Sequence, residues 1–326
     1  MQLRAGLRVV RRAPDEVQLG TDSRWAVRVR GLTPEQADRL VRTGDRPLDP
    51  WLPASLIDDL ATAGVLRPSR RRPPRVPPAA APDAYAYALT RAADDGTDVL
   101  RARARATVAV TGLGRTGLAL VSALATAGVG ALELADDSPV RPSDVGTGAS
   151  PAHVGRPRAE TAAEVLHALA PHVRLRTPGR AVPDVAVTVS ADVADPGTAL
   201  GLLTAGVPHL PVVLREADAL VGPFVQPGAP GLPCLRCLDL HQARADPAWP
   251  VVLAQLAHRE RPDRTGVPAA LATVAAGLAA AEVLTRLDGG TPRTAGGRYE
   301  IALPAVEPRV RRWAAHPDCG CAALVP

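Results

Sequence analysis

The sequence predicts an α/β protein whose larger part is a doubly wound, mostly parallel sheet, preceded by a small α+β domain. Three observations predict it. Strand and helix patterns alternate from about residue 84 onward, a glycine loop (GLGRTG, 112–117) stands between a buried-strand run and a helix, and four cysteines form two tight pairs toward the C-terminal end. A length of 326 residues suits two domains.

Residues 1–66 carry three strand-like runs, LRVV (7–10), EVQL (16–19) and WAVRVRG (25–31), with turn residues between them. TPEQADRLVRTG then predicts a helix: Thr33 suits the N-cap, Pro34 the first helical position, and Gln36 completes a capping box. PASLIDDLATAG gives a second helix, with Gly64 in a C-cap position. The Arg/Pro/Ala-rich stretch 67–83 reads as a linker, and the second domain spans 84–326. There a helix at 84–104 leads into the strand ATVAVTG, the helix LALVSALATAG, the strand ALELAD and the helix PRAETAAEVLHALA. VRLRT, VAVTVSA and HLPVVLR supply further strands, with GTALGLLTAG as a helix between the last two. Beyond residue 222 the chain is loop-rich around cysteines, then helical, and ends in two strands at 297–303 and 306–313.

All basic residues are arginine, so no lysine can form a Schiff base or anchor a phosphate. Much of the net charge of +5 sits in RPSRRRPPRVPP (67–78). No aromatic residues interleave that run, which argues against a nucleic-acid partner. No apolar run reaches the roughly 18–20 residues of a membrane span; the longest apolar helix candidate is 267–284. MQLRAGLRVVRR lacks the apolar region of a signal peptide, so a cytoplasmic protein without a membrane partner is expected.

Gly112, Gly114 and Gly117 follow a strand and open a helix, the context of a nucleotide-binding turn in a Rossmann-like sheet. Asp136 ends the next strand, where a carboxylate accepts a ribose hydroxyl. The pattern fits NAD, FAD or ATP, and equally a turn that keeps its glycines for packing; Arg115 is bulky where a small residue is usual. Cys234 and Cys237 (CxxC) with Cys319 and Cys321 (CxC) satisfy a closed tetrahedral zinc site, a staple between the post-sheet loop and the C-terminal tail. Four cysteines complete that site without His241 or His316. With all four on zinc, no thiol is left for thioester chemistry.

Glycine loop, acidic strand end, CxxC and a distal cysteine pair together resemble the ThiF/MoeB/HesA adenylyltransferases, relatives of ubiquitin-activating enzymes, from about residue 105 onward. The family's GxGGxG, DxDxVExSNLxRQ, GxPKA and TDN segments stand here as GLGRTG, DDSPVRPSDVGTG, GRPRA and SADV. The resemblance implies ATP with Mg2+ as cofactor, Asp136 as the ribose acid and Asp192 as the magnesium acid. It places Arg158 at the lysine position, Asp144 at the asparagine and Thr147 at the phosphate arginine, while Ser138 and Val193 replace two further polar residues. Adenylation needs positive charge around the α-phosphate, so these exchanges describe a ThiF-like scaffold that has largely lost adenylation. Were it active, Arg158 and Asp192 would be the catalytic residues.

The front domain resembles the winged-helix precursor-recognition element of ribosomal peptide maturation systems. Its fusion to a degenerate ThiF-like domain, with CLDLHQARADPAWP after VGPFVQPG, resembles the leader-binding partner of azoline-forming cyclodehydratases. That resemblance implies a leader peptide added as an extra strand along Trp25–Arg30, beside the Thr33–Arg42 helix, with Trp25, Val27, Arg28, Val29 and Arg30 as contacts. It also implies a separate YcaO-type modifying enzyme and a homodimer, for which the small-residue stretch 267–288 offers a packing helix. The alternatives are an ATP-dependent adenylyltransferase acting on a peptide or small-protein C-terminus, an NAD- or flavin-linked oxidoreductase, and a purely structural partner.

Overall fold

The computed structural model describes residues 1–44, 46–50, 52–68, 76–90, 96–257 and 266–323. The strands, in chain order, are β1 (Gln2–Leu3), β2 (Val9–Ala13), β3 (Glu16–Leu19), β4 (Val27–Val29), β5 (Leu66–Arg67), β6 (Thr107–Thr111), β7 (Ala131–Ala135), β8 (Arg174–Arg176), β9 (Val185–Ala191), β10 (His209–Leu214), β11 (Asp218–Val221), β12 (Gly297–Ala302) and β13 (Glu307–Arg312). The helices are α1 (Pro34–Thr43), α2 (Ala54–Thr62), α3 (Ala81–Thr90), α4 (Thr97–Arg105), α5 (Arg115–Thr126), α6 (Arg158–Leu169), α7 (Pro196–Thr204), α8 (Leu235–Ala245), α9 (Trp249–Ala257) and α10 (Ala269–Leu287).

The chain divides into two compact units, Met1–Arg101 and Ala102–Pro326. In the first, β2, β3 and β4 form an antiparallel sheet in that order, and β1 pairs with β5. Thr33 caps α1: its Oγ1 accepts from Gln36 N, while Gln36 Oε1 accepts from Thr33 N. Leu40 and Ala37 of α1 and Leu56 and Leu60 of α2 bury against Val17 and Leu19 of β3, which gives this small unit its core. The expected linker 67–83 differs from this division. Its central residues 69–75 lie outside the described residues, and helical structure has already begun at Pro78, running into α3. Arg4 explains why α3 stays with the first unit: its Nε and Nη2 both donate to Ala88 O. The single helix expected at 84–104 is two helices, α3 and α4, flanking residues 91–95, which lie outside the described residues.

The second unit holds one eight-stranded sheet in the order β13-β12-β11-β10-β9-β6-β7-β8. Strands β10, β9, β6, β7 and β8 are parallel, and β11, β12 and β13 continue the sheet antiparallel. The sheet is therefore mostly parallel, as expected, with one strand, β11, that its short DALV sequence hides. Parallel strands buried on both faces need apolar residues throughout, and Val108, Val110, Val185, Val187, Leu210 and Val212 supply them. The chain leaves β6 for β7 on one side and β9 lies on the other, so the strand order reverses at β6/β9. Ligands of doubly wound sheets bind at the carboxyl ends of strands at such a point.

Alanines dominate the buried face of α10, where Ala272, Ala275, Ala276 and Ala279 let it pack against α5 and the sheet. Part of the small-residue stretch expected to serve a dimer contact is thus used inside the chain, while Ala270, Thr273, Gly277 and Ala281 stay exposed. Among the described residues α10 is also the one helix long and apolar enough to cross a membrane by length and composition, and its apolar face is spent on this core.

Candidate functional site

The glycine loop closes β6 and opens α5 at the β6/β9 reversal. Two of its glycines are required by the chain's own backbone. Gly112 has φ +86° and a Cβ there would stand 2.1 Å from Val189 O; a Cβ on Gly117 would stand 1.9 Å from Gly112 O. Gly114, the N-cap of α5, faces side chains instead: its Cβ would lie 3.2 Å from Asp144 Oδ1 and 3.6 Å from Arg158 Cζ.

Those two residues form the centre of the site. Arg158, at the start of α6, donates from Nε and Nη2 to Asp144 Oδ2 at 2.9 and 2.7 Å, and from Nη1 to Asp136 Oδ2 at 3.3 Å. Asp136 Oδ2 also accepts from Leu113 N at 2.7 Å, so the strand-end acid fixes the glycine loop. Asp144 Oδ2 further accepts from Arg141 N. One guanidinium thus bridges two carboxylates drawn from the segments after β7.

Beside this bridge lies a cavity of about 170 Å³, lined among others by the three loop glycines, Thr116, Asp144, Arg158 and Ser190. Three buried side-chain atoms of its lining residues have no hydrogen-bond partner: Arg115 Nε, Thr116 Oγ1 and Ser190 Oγ. Buried polar groups are normally satisfied, so three such atoms on residues around one cavity set this region apart from the rest of the core. Arg115 does not reach forward as a phosphate arginine; its Nη1 and Nη2 donate to the carbonyls of Val267 and Val145. Asp192 is likewise elsewhere. It follows β9 with φ +65° and lines a neighbouring cavity of about 110 Å³ together with Arg215, Asp239, Trp249, Arg298 and Trp313. There burial raises the Asp239 carboxyl above its usual range, although Trp249 Nε1 donates to it, and burial lowers the Arg298 guanidinium. The structure therefore brings Gly112, Gly114, Gly117, Asp136 and Arg158 together and sets Asp192 in the adjoining cavity. Thr116, Ser190 and the Arg215–Arg298 wall were not singled out from sequence; only the first two sit inside recognisable segments.

The cysteines converge. Cys234 caps α8 and Cys237 stands in its first turn, while Cys319 and Cys321 return from beyond β13. The four sulfurs lie within 4.8 Å of one another, with Cys234–Cys237 at 3.8 Å and Cys234–Cys319 and Cys237–Cys321 at 3.6 Å. These separations exclude disulfides and match the edge of about 3.8 Å that four Zn–S bonds of about 2.3 Å give a tetrahedron. Burial pushes the Cys234 thiol up and the Cys321 thiol to about 11, whereas the Cys237 thiol, despite burial, is held below its usual range by hydrogen bonds. His241 and His316 pack edge to face beside the cluster at 4.7 Å and contribute no ligand atom to it.

In the first unit, β4 is an edge strand with the predicted alternation. Val27 and Val29 pack on the core, while Arg28 and Arg30 are exposed. Arg24 stacks over the half-buried Trp25, 4.4 Å from the ring centroid. The expected neighbour of this edge differs: α1 packs chiefly on β2 and β3, and Arg11 of β2 donates to Pro34 O at its start.

A doubly wound sheet, a glycine loop at its reversal, a strand-end acid and a four-cysteine cluster define a ThiF-like protein. Residues 85–192 match the ThiF family. Among solved structures, E. coli MccB with AMPCPP and MccA is similar with a TM-score of 0.72 at 16% identity, over 98% of each chain. The microcin C7 biosynthetic enzyme MccB in complex with N-formylated MccA gives 0.65 at 16% identity, over 98% of this chain and 99% of that one. PaaA gives 0.71 at 13% identity, over 94% of this chain and 98% of that one. At these identities the likeness shows the fold. No curated protein sequence matches.

Proposed function

We propose that this chain binds a ribosomally made precursor peptide at the β4 edge of its first unit and presents it to a separate, YcaO-type modifying enzyme. The observation that carries the reading is the unpaired β4 edge, whose outward backbone groups can accept another strand while Val27 and Val29 stay anchored in the core. The likeness to MccB, which extends over both units and includes complexes with MccA, supports a peptide as the partner. The cysteine cluster is proposed to hold zinc as a structural staple, and the protein to work as a cytoplasmic homodimer.

The test is a fluorescence titration with candidate ribosomal precursor peptides, followed by a backbone N-methyl scan of the one that binds. Strand addition places alternate amides in the ladder. N-methylation at every second residue of the docking segment is expected to weaken binding at least about tenfold, and at the intervening residues little. Uniform sensitivity, or none, would count against the edge.

A second reading concerns the glycine-loop cavity. Three unpartnered polar atoms on its lining residues favour a bound polar ligand such as a nucleotide, and a structure of MccB holds AMPCPP. If magnesium and ATP bind, Asp136 and Arg158 are placed to meet the nucleotide, while Asp192 would serve from the adjoining cavity. The Asp136–Arg158–Asp144 bridge argues that adenylation is not the main activity, since the charge an ATP phosphate needs is already neutralised.

A further inference from the structure

Asp144 sets a carboxylate beside the glycine loop. The N-terminus of a helix behind a glycine turn favours an anion, and Asp144 Oδ1 lies close to Gly114, the N-cap of the twelve-residue α5. Its other oxygen engages Arg158 through two donors. Asp144 is 9% exposed and Arg158 is itself largely covered, so solvent screens this pair weakly. The Thr116 hydroxyl, 1% exposed and unpartnered, lines the same cavity, so the space beside the pair is still polar and still unsatisfied.

We propose that Asp144 is a built-in substitute for phosphate, and that the cavity therefore takes a nucleoside in preference to its phosphorylated forms. The proposal rests on the nucleotide reading of the cavity and specifies its ligand class. A triphosphate entering here would set its negative charge against Asp144 and compete with it for Arg158, whereas a nucleoside meets Thr116, Ser190 and the loop amides without that conflict. Arg115 offers little compensation, because both its terminal nitrogens donate to backbone carbonyls and only its buried Nε lacks a partner.

The experiment is calorimetric titration of the full-length protein, and of Asp144→Asn, with adenosine, AMP and Mg-ATP. Asparagine keeps the side-chain shape and a carbonyl oxygen to accept from Arg158 while removing the charge. The wild-type protein is expected to bind adenosine more tightly than AMP or Mg-ATP, and Asp144→Asn to raise the ratio of ATP to adenosine affinity at least tenfold. Asp144→Ser, shorter and also uncharged, is expected to shift the ratio in the same direction and guards against a folding defect peculiar to one variant. Adenosine binding with an unchanged ratio in both variants overturns the role of Asp144 and leaves the nucleotide reading standing. No binding of any of the three ligands to wild type or variants overturns the nucleotide reading as well.

Discussion

Replacing Cys237 with serine is expected to abolish metal binding by the cysteine cluster and to unfasten the C-terminal tail. Cys237 is fully buried, sits in the first turn of α8 and lies 3.6 Å from Cys321 across a sequence separation of 84 residues. The purified wild-type chain is expected to carry about one zinc ion, as a closed four-sulfur site requires, and the variant essentially none. The folding contribution of such sites is large, so a loss of at least about 3 kcal/mol is expected. Residues 313–321, which pack Trp313, Ala315 and the distal cysteines around Leu203, Val225 and Leu238, then become protease-sensitive. Elemental analysis and limited proteolysis check both parts. A metal-free wild-type protein with a protected tail would refute the staple.

Removing the Arg103 guanidinium is the second large effect. Its side chain is fully buried; Nε and Nη2 donate to the two oxygens of Asp288, and Nη1 to Ala127 O. This pair ties α4 to the C-cap of α10, where a carboxylate would otherwise sit at the unfavourable end of the helix dipole. Arg103→Leu takes the guanidinium away from the buried Asp288 carboxylate and is expected to cost about 3–5 kcal/mol. Arg103→Leu combined with Asp288→Asn should recover a substantial part of that loss if the cost lies in the charge and not in packing. Urea unfolding of the three proteins measures it. Equal destabilisation of single and double variants would mean that packing, not charge, is what Arg103 supplies.

How much of this was legible in the sequence follows from how local each signal is. The capping box at Thr33, the glycine loop, the alternation of Val27, Arg28, Val29 and Arg30, and the cysteine spacings are written within a few residues, and each appears in the structure as read. The bridge through Arg158 was not legible. Asp136, Asp144 and Arg158 were each aligned with a family position, but their mutual neutralisation depends on β7, the loop after it and α6 converging at one point. The same holds for Asp192, whose motif position suggested the nucleotide while its backbone turn carries it to the neighbouring cavity. The small residues of α10 showed that something packs tightly there, not that the partner is α5. The two compact units meet at Arg101, later in the sequence than the expected linker at 67–83. Arg4 reaches α3 across 84 residues of sequence, a contact that no composition shift announces.

The central claim is that a peptide docks on the β4 edge, and hydrogen–deuterium exchange on the full-length protein tests it most directly. Free amides on an edge strand exchange quickly, and an added strand protects them. Saturation with the precursor peptide is expected to slow exchange across residues 25–30 while leaving the glycine loop at 112–117 unchanged. Protection confined to the second unit, with residues 25–30 exchanging as before, would contradict the account and move the peptide site to the ThiF-like domain.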